Sequence, residues 1–304
     1  MITNKTGLPQ PIVDAIINDD YDAGDSYITA SSLWKSPRIR ALEKQHSAIL
    51  EQDASDGIFA LIGKAIHGIL ERADNTAIVE QRLYATRLNK KISGKFDRFV
   101  YHDGILQDYK VTAVWALLNA ADKSDWLYQL NTYRWLLTEN NIPVNKLQIV
   151  AILRDWSKRE ARMKSADDYP KKQVAIVDIP ILPPDEFEKI LLTQLQRHID
   201  AETTLPPCSP SDRWLRPGKT AVMKEGGKKA LKLFSTPEEA SSWMTLQKDS
   251  TKLYLADRPS EAIRCLDYCS VGQQGLCAQW ADDPTNPEKM FASLKQSIQG
   301  ASNA

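Results

Sequence analysis

The sequence predicts an α/β fold, a mixed central sheet flanked by helices, with a C-terminal cysteine-containing extension. Three observations carry this. Strand-like runs follow one another at 77–85, 92–101 and 104–112, joined by turns too short for a parallel crossover, so they pair antiparallel. Helical periodicity brackets them, at 57–73 and again from 114 to 138, and further strand candidates follow at 146–154 and 173–181. All four cysteines lie after residue 207, where Pro, Gly and Trp also become frequent and the periodic pattern breaks up. The arrangement reads as an α/β sandwich rather than a doubly wound sheet.

Each element has a local reason. In SYITASSLWKSPRIRALEKQH, Ser31 or Ser32 is expected to cap a short helix carrying Leu33, Trp34 and, later, Leu42. In GIFALIGKAIHGILERA, Phe59, Ile62, Ile66 and Ile69 recur at helical spacing. AIVEQRLYA, ISGKFDRFVY and GILQDYKVT are rich in strand formers, with His102-Asp103-Gly104 as a tight turn between the last two. Helices are expected around Val114–Ala121 and Trp126–Thr138, strands at KLQIVAILR and QVAIVDIPI, and a helix over 185–202 after Pro183-Pro184. These elements suggest an N-terminal helical segment (1–50) packing on a core (51–203), and an extension (204–304) ending in a short helix and a frayed tail after about 288. Within the extension, AVMKEGGKKALKLFSTPEEASSWM reads as a basic hairpin followed by a helix capped by Ser235 or Thr236.

The bulk composition narrows the class. At 304 residues the chain suits roughly two domains, or one with a long extension. Hydrophobic content of 42% and charged content of 26% fit a soluble globular protein. The first residues lack the basic start and apolar run of a signal peptide, and no stretch is apolar enough to span a bilayer, so a cytoplasmic protein is expected. The 39 basic and 39 acidic residues balance. The basic ones are clustered, however: Lys35, Arg38 and Arg40; Lys90, Lys91 and Lys95; Lys158, Arg159, Arg162 and Lys164; Lys224, Lys228, Lys229 and Lys232. Such groups line phosphate tracks or form ordinary solvated surface.

The polar residues that intrude on the apolar pattern point to chemistry. His67 lies on the long helix among small residues, Asp97 sits mid-strand, and Asp108 and Lys110 share one strand face. With the hairpin centred near residue 103, Asp97 is expected opposite about position 109, beside both Asp108 and Lys110. An imidazole and two converging carboxylates make a site for one or two Mg²⁺ or Mn²⁺ ions. A lysine beside them can orient a water or neutralise phosphate charge, which together are the parts of metal-assisted phosphodiester hydrolysis. Alone, each residue has a structural reading, such as an ion pair for Asp108 and Lys110 or a core ring for Tyr133.

These stretches resemble the PD-(D/E)xK nucleases of the RecB type, a group that includes CRISPR-adaptation nucleases. The resemblance covers about residues 27–200 and implies a restriction-endonuclease-like core. GKAIHGILE is similar to the family's metal-binding helix, giving His67; ISGKFDRFV to its Gly-x-x-Asp strand, giving Asp97; LQDYKVT to its Asp-Tyr-Lys element, giving Asp108 and Lys110. YQLNTYRWLL resembles its Gln-x-x-x-Tyr helix, giving Gln129 and Tyr133, and Glu80 matches a glutamate often present on the first strand. The resemblance further implies that the carbonyl of Val111 contacts the metal. It departs in one place: Phe96, not Pro, precedes Asp97, and GGKK at 226–229 is no P-loop. A metal-dependent deoxyribonuclease is implied, most often an exonuclease, acting on DNA in recombination, repair or phage DNA processing, with a recombination or phage protein as a candidate partner and oligomeric state left open.

Cys208, Cys265, Cys269 and Cys277 suit one [4Fe–4S] cluster or one Zn²⁺, and several RecB-type nucleases carry such a cluster. A cytosolic setting argues against disulfides, and buried free thiols are the plain alternative. Two further functions compete with nuclease action: a catalytically silent DNA-binding or assembly subunit, and an iron–sulfur sensor.

Overall fold

The computed structural model describes residues 1–18, 23–289 and 291. Contacts divide the chain into two compact units, Met1–Lys35 with Glu51–Thr204, and Ser36–Leu50 with Leu205–Ala304. The first 50 residues, read above as one segment, are thus shared between the two.

The first unit is built on one mixed sheet. Its strands are β1 (Ile28–Thr29), β2 (Ile78–Arg87), β3 (Lys90–Val100), β4 (Ile105–Thr112), β5 (Lys146–Leu153) and β6 (Val174–Ile179). The spatial order is β1-β3-β4-β5-β6, and β2 pairs along the other edge of β3. β2–β3, β3–β4 and β5–β6 are antiparallel; β1–β3 and β4–β5 are parallel. Three helices matter for the site: α1 (Ile58–Ala73), α2 (Ala120–Glu139) and α3 (Pro184–Asp200). Leu130, Leu136 and Leu137 of α2, and Phe187, Leu191 and Leu195 of α3, are fully buried with Phe99, Leu106, Leu147, Ile149 and Leu153 of the sheet. Buried Asn131 accepts from Leu182 N–H and donates to Pro180 C=O, which fixes α2 to the segment after β6.

Several local expectations need correction. Thr29, not Ser31 or Ser32, caps the short helix Ala30–Leu33, and Leu42 belongs to a separate helix, Pro37–Gln45, entered by proline at its first position. The hairpin turn spans Tyr101–Gly104, with Gly104 at φ +63°, a left-handed conformation that costs glycine little. α1 forms as its periodicity requires, but no residue of it is fully buried, and Phe59, Ile62 and Ile69 are exposed. Lys158–Met163 adds a helix capped by Ser157 that the pattern did not announce. Side chains of residues 120–123, and the tail after 291, lie outside the described residues.

In the second unit, β7 (Lys219–Lys224) is flanked by β8 (Lys232–Phe234) and β9 (Leu253–Arg258), both antiparallel to it. The basic hairpin therefore forms. The helix Pro237–Thr245 is capped by Thr236, whose hydroxyl accepts from Glu239 N–H. A second apolar cluster gathers Leu42, Ala262, Val271 and Trp280 around Cys265, Cys269 and Cys277.

A carboxylate row and a four-cysteine pocket

The sheet register builds the first site. β2 pairs with β3 so that Val79 faces Arg98 and Gln81 faces Phe96, which sets Glu80 opposite Asp97. β3 pairs with β4 so that Arg98 faces Gln107, and the same register carries Asp97 to Asp108. Three carboxylates thus stand in one row across three adjacent strands. The sequence had placed Asp97 against position 109; the four-residue turn shifts the ladder by one.

The ladder is interrupted at this row. On one edge of β3, β1 pairs with Ile92 and Ser93 and β4 pairs with 98–100, so the backbone of 94–97 between them is left open. Asp97 fills part of the gap by accepting the Tyr109 N–H at 2.6 Å. Glu80 adopts φ +50°, a conformation costly for a side chain with a Cβ, and makes no ladder pair with Asp97. Like charges directly opposite in a sheet are destabilising. The row therefore combines strain with repulsion, and cations must offset both.

His67 comes from α1 to meet the row. Its Nδ1 lies 3.4 Å from Asp97 Oδ1 and 3.8 Å from Glu80 Oε1, and its Nε2 lies 3.1 Å from the Tyr109 carbonyl. The Asp97 and Glu80 carboxylates beside it outweigh burial and push the imidazole up to about 10, so both ring nitrogens carry protons. Lys95 holds Glu80 from the other side at 2.5 Å. Single ligand atoms of His67, Glu80 and Asp97 lie within 4.8 Å of one another. An imidazole nitrogen and two carboxylate oxygens are a donor set that Mn²⁺ or Mg²⁺ accepts, so these residues fit such an ion.

Asp108 is almost wholly buried, and its Oδ2 lies 2.7 Å from Lys110 Nζ. Beyond that ion pair, Oδ2 is a buried oxygen with no further partner among the described residues. Its Oδ1 accepts from Gln129 Nε2 at 3.3 Å, and Gln129 also donates to the Tyr133 hydroxyl at 3.0 Å. Burial pushes the Asp108 carboxyl up against the pull of Lys110. Burial lowers Lys110, but Asp108 more than restores it, so the ammonium keeps its proton. Gly94 lets Tyr133 lie flat on β3: a Cβ there would sit 2.5 Å from Leu136 Cδ1 and 2.9 Å from the Tyr133 ring.

The structure thus gathers His67, Glu80 and Asp97 tightly, with Asp108, Lys110, Gln129 and Tyr133 joined to them through the shared row. Val111 lies one residue beyond Lys110, paired with Ile152 on β5; the carbonyl that reaches His67 is that of Tyr109. Lys95 and Tyr109 are the participants that sequence reasoning missed. Lys95 had a signal, two residues before Asp97 on the same strand face, whereas a backbone group leaves none. A cleft of about 820 Å³ opens over the row, lined by Thr29, Ser31, Lys64, Arg82 and Lys95 among others.

The second unit holds its own site. All four cysteines line one pocket with Ile39, Asp212, Arg213, Gln279 and Trp280, and Arg38 Nε donates to Cys277 Sγ at its edge. Cys208 is clamped there by Gln279, which accepts the Cys208 N–H at 2.7 Å and donates to its carbonyl at 3.0 Å. Burial raises the thiols of Cys208 and Cys269 and pushes Cys265 up to about 12, so these three are not activated nucleophiles. Four sulfurs on one pocket are a donor set for a soft metal centre.

Comparison with known proteins gives backbone likeness only. No family model matches the chain, and no curated protein does. Among solved structures, the chain is similar to the protein SSO0001, at 16% identity and a TM-score of 0.45, over 66% of this chain and 89% of that one. It is also similar to a phage related exonuclease from Haemophilus somnus 129PT, at 13% identity and a TM-score of 0.35, over 62% of this chain and 94% of that one.

Proposed function

We propose that the chain is a metal-dependent deoxyribonuclease of the PD-(D/E)xK type, acting as an exonuclease in recombination, repair or phage DNA processing. One observation carries the reading: three carboxylates aligned across β2, β3 and β4, met by His67 and bordered by a lysine that keeps its proton. A stable fold has no use for that concentration of like charge. A divalent cation gives it one.

In this reading His67, Glu80, Asp97 and Asp108 hold one or two Mg²⁺ or Mn²⁺ ions, with the buried Oδ2 of Asp108 directed to them. Such an ion supplies Lewis acidity to the phosphate being cleaved. Lys110 acts as a cation, not as a base: it orients the attacking water and meets the charge that develops on phosphate oxygen. Gln129, steadied by Tyr133, fixes the carboxylate of Asp108. Lys64, Arg82 and Lys95 in the cleft suit backbone phosphates of the DNA.

The four cysteines are assigned to a metal centre of structural type. Four sulfurs lining one pocket suit a [4Fe–4S] cluster or, as the alternative, a single Zn²⁺.

The test is cleavage of end-labelled linear and covalently closed circular DNA, with Mg²⁺, Mn²⁺ or EDTA, beside Lys110→Ala. Metal-dependent loss of linear DNA alone, falling about 10²–10³-fold in the variant, is the expected result. Cutting of circles would make it an endonuclease. Failure to cut either substrate with any metal, by folded protein, would overturn the reading.

A further inference from the structure

Arg38 is the odd residue of the second unit. The sequence placed it in a basic cluster with Lys35 and Arg40, suited to solvent or phosphate. It is instead 9% exposed, on the first turn of Pro37–Gln45. Its Nε donates to Cys277 Sγ at 3.5 Å and its Nη1 to the Pro206 carbonyl at 3.4 Å. Among the described residues no carboxylate lies within ion-pair distance of it. Arg213 pairs with Asp283 through Nη1, its buried Nε having no hydrogen-bond partner among the described residues, and Asp212 accepts from the backbone and hydroxyl of Ser209.

A buried guanidinium whose partners are one cysteine sulfur and one carbonyl, with no carboxylate beside it, is an expensive arrangement, because an uncompensated charge loses its hydration and gains little in return. Four metal-bound thiolates change the balance. Around Zn²⁺ or an oxidised [4Fe–4S] core they leave a net charge of about −2, and an arginine donor at one sulfur then offsets part of it. The geometry also binds the pocket to a distant part of the chain. Ser36 Oγ lies 3.3 Å from Cys208 Sγ, so the segment that leaves the unit at Leu50 and returns at Leu205 touches two of the four sulfurs before it departs.

We propose that Arg38 is the fixed counter-ion of a tetrathiolate metal centre formed by Cys208, Cys265, Cys269 and Cys277, and that its Nε–H donation to Cys277 governs how tightly the centre is held and, for an iron–sulfur cluster, its reduction potential. This rests on the assignment of the cysteines to a metal centre. Arg38 is a positioning residue: it acts on the metal through sulfur. Removing a cation and a donor beside the thiolates disfavours their charged form and the more reduced state of a cluster.

The experiment uses the full chain, purified without oxygen, as wild type, Arg38→Met, Arg38→Gln and Arg38→Lys, with Cys269→Ser as the reference for the cysteine site. Iron, sulfide and zinc are quantified, metal loss to a chelator is timed, and cluster potential is followed by its visible absorption. Arg38→Met and Arg38→Gln are expected to bind metal about 10–100-fold more weakly, with a lower potential if iron is present. Arg38→Lys, which keeps the charge, recovers most of the retention. Equal retention and equal potential in folded Arg38→Gln and wild type would overturn the role of Arg38. A wild type that holds no more metal than Cys269→Ser would overturn the metal centre itself, a separate result. Should both neutral variants fail to fold, folded Arg38→Lys that holds metal as weakly as Cys269→Ser also overturns the proposal.

Discussion

The carboxylate row and the cysteine pocket carry opposite imbalances. In the first, Glu80, Asp97 and Asp108 crowd three acids into one row, and the chain's own His67, Lys95 and Lys110 only partly answer them. In the second, Arg38 contacts one of four cysteine sulfurs and has no carboxylate beside it among the described residues. The first site is open to a cleft and strained at Glu80; the second is lined by buried Cys265, Cys269, Cys277 and Trp280 with half-buried Cys208. An open, charge-rich, strained site suits exchange of ligands, and a closed one suits permanent retention. The comparison predicts that losing metal has different consequences at each.

The largest expected effect follows from that. Stripping the cysteine centre should unfold the unit of 36–50 and 205 onward, since a structural metal contributes on the order of 10 kcal/mol to the fold it closes. Mild chelation that empties only the carboxylate row should lower melting of the first unit modestly, by the few kcal/mol that a bound ion contributes through mass action, without unfolding it. Calorimetry of the full chain, before and after each treatment, separates the two; equal melting losses at both sites would erase the distinction.

Within the row, Gly94→Ala is the next largest. The added Cβ collides with Leu136 and Tyr133, and overpacking of this kind costs about 1–3 kcal/mol. Tyr133 then shifts, Gln129 loses its partner, and cleavage should fall together with stability. Glu80→Gly should do the reverse to stability. It relieves the left-handed backbone, worth roughly 1–2 kcal/mol, and the repulsion from Asp97, which together are expected to exceed the loss of the contacts that the mostly buried Glu80 carboxylate makes with Lys95 and His67. The metal-free protein should melt higher while its stabilisation by Mn²⁺ shrinks. A lower melting point in Glu80→Gly would mean the strain is not real.

Much of this was legible in sequence for identifiable reasons. The strands carrying Asp97 and Asp108 announce themselves by alternation and by the turn between them, and the spacing of Asp108 and Lys110 fixes a shared face. The register was missed by one residue because turn length, not pattern, sets which residues face each other. α1 was legible as a helix, yet its apolar residues Phe59, Ile62 and Ile69 are exposed, since periodicity tells which residues share a face and not what covers them. Arg38 was misplaced for a similar reason: burial of a charge depends on partners nearly 240 positions away in the chain, here Cys277. Tyr109 contributes through backbone atoms that its side chain does not advertise.

The smallest effect is a proton, and it sharpens the contrast best. His67 is raised from 6.5 to about 10 by Asp97 and Glu80, so in metal-free protein it is an imidazolium at pH 8. Because the folded value is the higher one, its contribution to stability is full below about 6.5 and is lost as pH rises through about 10. A metal at the row needs the neutral ring, so binding Mn²⁺ must expel that proton. Titration calorimetry in two buffers of different ionisation enthalpy should therefore find about one proton released per ion at pH 8, with affinity rising as pH increases. His67→Gln should release none. The same buffer comparison on the cysteine centre should instead register thiol protons. Proton release that persists undiminished in His67→Gln would remove the imidazole from the metal site and leave the carboxylates to hold it alone.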